Sequence, residues 1–137
     1  MSRIDSVTLA VLNGRLEQIA DEMDATLFRS AFNPIIAEAH DASHGLYHRA
    51  TGATLVQGTS GLPVFVGSMA GAVKLAIDTI ANESVRRGST PDLDAAASCG
   101  AVRDGDVWCF NDPYGGGTHL NDMKLVRPYF RDGRVWC

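Results

Sequence analysis

An imidazole and a carboxylate three residues apart, His119 and Asp122, close a stretch that begins Asn111-Asp112-Pro113-Tyr114 and runs through three consecutive glycines, Gly115-Gly116-Gly117. A His-x-x-Asp pair can put both side chains on one side of a loop or helical turn, and imidazole with carboxylate suits Zn, Mn or Fe. Glycine loses more backbone freedom on folding than any other residue, so three in a row need a reason. The short hydrophobic strands predicted on either side would fix this loop on a rigid scaffold. The plainer reading is a glycine-rich β-turn with a surface histidine, since two ligands alone do not make a metal site.

A second group is His40, Asp41, His44 and His48. On a helix, His40 and His44 would share a face and could bind a metal. Gly45-Leu46-Tyr47 reads instead as the start of a strand, which puts His44 and His48 on one open face of a hairpin as ordinary polar residues. Asp41 with Ser43 could close a loop by a hydrogen bond.

Other chemistries find little support. The triple glycine lacks both the GxxxxGK[ST] and the GxGxxG frames, and no convincing helix follows it, which argues against a nucleotide site. No GxSxG elbow is present, and no cysteine sits in a catalytic signature. A net charge of -4 gives no electrostatic reason to expect nucleic acid or an anionic membrane as partner. The apolar run Leu62–Val66 is far below the roughly 20 residues that cross a bilayer. Met1-Ser2-Arg3-Ile4-Asp5-Ser6 carries no apolar leader, and Cys99, Cys109 and Cys137 resemble neither a disulfide framework nor a CxxC site. The expectation is a cytoplasmic protein with reduced thiols.

At 137 residues the chain is long enough for one core. Leu9, Leu12, Leu16, Ile19, Met23 and Leu27 repeat at helical spacing, predicting a long amphipathic helix over Val7–Ala31, capped by Asp5 or Ser6 and ended by Asn33-Pro34. Arg15, Glu17, Asp21, Glu22 and Asp24 lie mostly off that stripe, which needs something larger than this chain to pack on. A β-hairpin over 45–57 turns at Gly52; a second helix starts at Ser68, with Ala72, Val73, Ala76, Ile77 and Ile80 on one face. Residues 89–100 form a connector with a helical turn at Leu93–Ala97. Strands at Val107–Phe110 and Met123–Phe130 flank the glycine loop, and Asp132-Gly133 turns into a return strand over 134–137, either a short edge strand or the front part of something longer. The fold class is α+β (mixed α/β), a fragment of a larger domain.

These residues resemble a known family. Val7-Thr8-Leu9 opening a helix that ends near Phe32-Asn33-Pro34, Leu62 to Met69 before a helix, and above all Gly105-Asp106-Val107 leading into Asn-Asp-Pro-Tyr…Gly-Gly-Thr118-His119-Leu120-x-Asp122 are similar to the N-terminal part of the hydantoinase B / 5-oxoprolinase family. The resemblance covers nearly all of residues 1–137. It implies a division of labour in which a hydantoinase A-like, ATP-binding partner uses ATP and Mg to phosphorylate a carbonyl or enolate oxygen. The B-type protein then completes the reaction at a divalent metal, Zn or Mn, within a hetero-oligomer. The family's metal ligands fall on His119 and Asp122, and a further family histidine is expected beyond Cys137. On this resemblance Asp112 would steady the loop, and Gly115, Gly116, Gly117 and Thr118 would let the substrate approach closely.

Two positions depart from the pattern. Lactam-opening members often carry His where this chain has Phe65, and many read Arg-Asp-Phe-Ser where this chain has His40-Asp41-Ala42-Ser43. Hydrolysis of a lactam and carboxylation of a ketone, as in the acetone and acetophenone carboxylases, therefore both stay open, with ATP-dependent hydrolysis of a cyclic amide the preferred reading. The rival from another class is a non-catalytic module that keeps the scaffold and docks through the helix of Val7–Ala31.

Overall fold

The computed structural model describes residues 4–62 and 64–137; Met1–Arg3 and Pro63, the latter inside the apolar run Leu62–Val66, lie outside the described residues. The architecture is α+β, in the order α1 (Ser6–Ser30), α2 (Pro34–Ala37), β1 (Gly45–Tyr47), β2 (Thr54–Gln57), α3 (Val64–Arg86), α4 (Leu93–Ser98), β3 (Trp108–Phe110), a 3-10 turn at Pro113–Gly115, β4 (Lys124–Val126), β5 (Phe130–Arg131) and β6 (Arg134–Val135). The strands form two-stranded sheets β1-β2, β3-β4 and β5-β6. The chain divides into two compact units, residues 4–46 with 54–66, and 47–53 with 67–137. No helix among the described residues is long and apolar enough to cross a membrane.

The first unit is built on α1. Asp5 caps it: the carboxylate accepts from Val7 N–H at 3.0 Å and Thr8 N–H at 2.9 Å, and the hydrogen bond from the Thr8 hydroxyl, then that from Thr8 N–H, holds Asp5 below its ordinary pKa. The helix stops one residue earlier than predicted. Asn33-Pro34 does not end it but starts α2, Asn33 accepting from Ile35 N–H at 2.9 Å with Pro34 in the first turn. Ala20, Asp24 and Phe28 are the buried positions of α1, while Leu9, Leu12, Ile19 and Leu27 of the expected stripe stay 37–50% exposed. The packed face is therefore rotated from the apolar stripe.

The second unit holds the hydrophobic core. Ile80 of α3, Leu93 and Ala96 of α4, Val102 and Val135 are buried together, with Ile77, Trp108 and Phe130 against them. Ala72, Val73, Ala76 and Ile80 are buried as the spacing requires, but α3 begins at Val64 and not at Ser68, so the end of the apolar run forms its first turn. In β3-β4, Trp108 pairs with Val126 and Phe110 with Lys124. The single strand expected over Met123–Phe130 is broken, because Pro128 has no N–H for a ladder. Beyond it Asp132-Gly133 does turn the chain, and Phe130 pairs with Val135.

An ion network fastens this corner. The Asp94 carboxylate lies 2.6 Å from Arg134 Nη2 and 2.8 Å from Arg49 Nη2, and Arg49 Nη1 donates to the Val135 carbonyl at 2.6 Å. Hydrogen bonds from Arg134, then Arg49, hold the Asp94 carboxyl well below the usual carboxylate range. A lowered folded-state pKa contributes stability that is present above the unfolded value, about 4, and is lost as pH falls toward the folded one. Thermal melts between pH 6 and pH 3 should show the wild type losing stability on acidification more steeply than Asp94→Asn below about pH 4. Parallel curves for the two proteins would show that the network contributes nothing.

Candidate functional site

The glycine loop is shaped by Asp112 and by helix α3, within the second unit. Asp112 Oδ1 accepts from Tyr114 N–H at 3.0 Å, and its backbone carbonyl accepts from Gly115 N–H at 3.2 Å and Gly117 N–H at 2.9 Å. This is an Asx turn opening a 3-10 turn, with Pro113 fixed at its first position. Gly116 then takes φ 92°, in the left-handed region where a Cβ is strained. A Cβ on Gly116 would also lie 2.9 Å from the Gly71 carbonyl carbon and 3.0 Å from Ala72 N. One on Gly115 would meet Leu75 Cδ2 at 3.0 Å, and one on Gly117 would run into the Asp112 carbonyl. The three glycines thus have a reason inside the chain: Gly115 and Gly116 let the loop lie on α3, and Gly117 lets it fold back on Asp112.

Beyond them the candidate donors converge. His119 Nε2 is 3.2 Å from Asp122 Oδ1, the Thr118 hydroxyl donates to Asp122 Oδ2, and Asp122 N–H donates to the His119 carbonyl at 3.0 Å. Asn111 Nδ2 donates to the Leu120 carbonyl at 2.6 Å, tying the two ends of the loop. Asn121 N–H points at His119 Nδ1, 3.3 Å away. With Nδ1 accepting, the neutral ring carries its proton on Nε2 and donates it to Asp122. The Asp122 side chain is mostly buried and that of His119 is 64% exposed. An imidazole and a carboxylate oriented to one point are the donor chemistry of a Zn or Mn site, and here they number two. Among the described residues no group of three or more His, Cys, Asp or Glu is placed to hold a metal ion.

The histidines of residues 40–48 lie elsewhere: Gly45–Tyr47 is the strand expected and His48 sits in its hairpin, but His44 is not on an open face. His40 is on no helix. It has φ 53°, stacks on Phe28 at 4.1 Å and 9°, and its Nδ1 is 3.1 Å from the Ser60 carbonyl. His44 precedes β1 and sets Nε2 2.5 Å from Oδ1 of Asp24, whose carboxylate is buried on α1 and also accepts from Ser60 N–H at 2.8 Å. His48 belongs to the hairpin turn, with Nδ1 3.1 Å from the Thr51 hydroxyl. Ser43 accepts from Gln57 Nε2 at 2.8 Å, which replaces the expected closure with Asp41. The Asp24–His44 pair escaped the sequence reading, because a charge off the apolar stripe reads as solvated until a partner twenty residues away is known.

A family model for hydantoinase B/oxoprolinase matches residues 5–137, and the chain belongs to that family. It is 30% identical over 132 residues to an uncharacterized protein of Methanocaldococcus jannaschii, covering 96% of this chain and 20% of that protein. It is 27% identical to a 5-oxoprolinase of Dictyostelium discoideum, over 98% of this chain and 9% of that one, and 28% identical to the beta subunit of a caprolactamase of Pseudomonas jessenii, over 98% and 20%. The chain therefore spans about a fifth or less of the length of these relatives. No solved structure matches it.

Two substitutions test the packing described. Gly116→Ala combines left-handed strain with a clash on backbone and should cost about 2 kcal/mol or more by chemical denaturation. Gly133→Ala, also at positive φ but with open space around it, should cost only about 1 kcal/mol. Equal losses would remove the contact with Gly71 as a cause. In the first unit, Asp24→Ala leaves His44 and Ser60 N–H facing a void and should cost about 3 kcal/mol; a loss below about 1 kcal/mol would show that the pair is solvated.

Proposed function

We propose that this chain is the metal-holding part of an ATP-dependent cyclic amide hydrolase of the hydantoinase/5-oxoprolinase type, working in the cytoplasm with an ATP-binding, A-type partner in a hetero-oligomer. The observation that carries the reading is the convergence of His119 and Asp122, with Thr118 on the second carboxylate oxygen, in a loop fixed by Asp112 and α3. The family membership supports it. So do the names of relatives, among them the putative B component of a D-/L-hydantoinase of a Pseudomonas strain, 29% identical over 95% of this chain. Two of these relatives are named as subunits, which supports a partner chain.

In this reading His119 and Asp122 are two ligands of a Zn or Mn ion, and a third comes from outside the described residues. Such an ion, when bound, polarises a carbonyl and makes bound water acidic near neutral pH. The chain's own residues do the positioning. Thr118 turns the Asp122 carboxylate so that Oδ1 stays toward His119, and the turn hydrogen bond between their backbones keeps the imidazole above it. With Nδ1 accepting from Asn121 N–H, Nε2 is the ring nitrogen that would face the ion. Activation of the amide by phosphorylation falls to the partner, and the substrate is a small lactam or related ring.

In the complex with the ATP-binding partner, His119→Ala should lose the bound metal and lower ATP-dependent ring opening more than about a hundredfold. That is beyond the roughly 10- to 100-fold typical of an outer-shell change. His48→Ala, in the hairpin turn, should change neither. Metal analysis and product chromatography check both. Wild-type metal content in His119→Ala would sink the assignment, and a complex with no divalent ion and no turnover would favour the non-catalytic module.

A further inference from the structure

Taking the His119–Asp122 loop as the site, as proposed above, we propose that Lys124 is a positioning residue. Together with Gly116 it clamps that loop at both ends to one face of α3. The backbone of Gly116 rests on Gly71 and Ala72, and Gly115 faces Leu75. At the other end of the loop, Lys124 opens β4 only 3% exposed and sends Nζ to within 3.5 Å of the Ser68 hydroxyl. Ser68, Gly71, Ala72 and Leu75 follow i, i+3, i+4, i+7 spacing, so they line one face of α3. At about 1.5 Å of rise per residue, the two anchor points sit roughly 5 Å apart along the helix. Thr118, His119 and Asp122 all lie between them in sequence.

Burial alone does not explain a lysine there. An ammonium out of water is costly, and a methionine of similar length would fill the same space without that cost. The pattern on β4 is also inverted, since Leu125 is 62% exposed while Lys124 is turned inward. An inward lysine beside an outward leucine is what a polar anchor requires and what simple core packing would avoid. Ser68 supplies the hydroxyl on α3 that meets it. Through this clamp the approach of His119 to Asp122 depends on a residue outside that pair.

The test is site-resolved amide exchange on the whole chain. Lys124→Met should speed exchange at Gly117 and Asp122, whose N–H groups are bonded within the loop, by about tenfold or more, with the α3 amides of Ala76 and Ile80 unchanged. Lys124→Arg, which keeps a buried cation, should restore protection to within about threefold. Ser68→Ala gives a second route to the same loosening if Lys124→Met folds poorly. Titration with Mn2+ alone, followed by its paramagnetic resonance, should show Lys124→Met binding about 10- to 100-fold more weakly, as for an outer-shell change. Unchanged loop protection in both variants would overturn the clamp, as would loss spread evenly over α3. Equal Mn2+ binding by wild type and His119→Ala would overturn the metal reading while leaving the exchange result to decide the clamp.

Discussion

Helix α3 and the glycine loop meet at backbone distance because Gly116 carries no Cβ, and the rest of the candidate site depends on that approach. With the Gly116 backbone seated on Gly71 and Ala72, the 3-10 turn of Pro113–Gly115 stands against Leu75, and the chain leaves the turn in one direction only. Asp112 then has a fixed set of donors to accept from, and Thr118 reaches Asp122. A side chain at 116 would push the loop off the helix by more than a neighbouring side chain can absorb, since the atoms it would meet are backbone. The positive φ is a second constraint on the same residue, so strain and space select glycine independently.

The helix can serve as this platform because its opposite faces have different tasks. Ile77 and Ile80 face the core with Leu93, Ala96, Val102 and Val135. Ser68, Gly71, Ala72 and Leu75 meet the loop with a hydroxyl, bare backbone and one branched side chain. The core in turn is held at its edge by Arg49, Asp94 and Arg134, which bring the hairpin turn, α4 and β6 to one carboxylate. Those ion pairs are substantially exposed, so their value is in fixing direction more than in free energy.

Local chemistry was legible in the sequence where a single short segment decides it. Asp5 as a cap, the left-handed Gly52, the hairpin at Asp132-Gly133 and the apolar face of α3 follow from residue types and spacing alone, and so does the pairing of His119 with Asp122. What stayed hidden needs distant partners or a competing rule. Asp24 is buried only because His44 and Ser60 N–H reach it. The face of α1 that packs is set by β2 and the residues around it, and so the stripe from Leu9 to Leu27 did not mark the buried side. Pro128 was visible throughout, and its missing N–H should have outweighed the apolar run that suggested one continuous strand.

The inverted strand β4 carries the same lesson toward the site. A surface strand normally turns its apolar residues inward, which would bury Leu125 and place Lys124 in solvent. The opposite is found, with Lys124 buried and Asp122 largely shielded. Register here is set by the pairing of Phe110 with Lys124 and Trp108 with Val126, and by the loop ahead of it, which must deliver Asp122 beneath His119. Asp122 lies in the turn ahead of β4, and the strand's own alternation begins with Lys124 inward and Leu125 outward. The inward lysine meets the Ser68 hydroxyl at 3.5 Å, which brings the start of β4 to the same helix that carries the glycine loop.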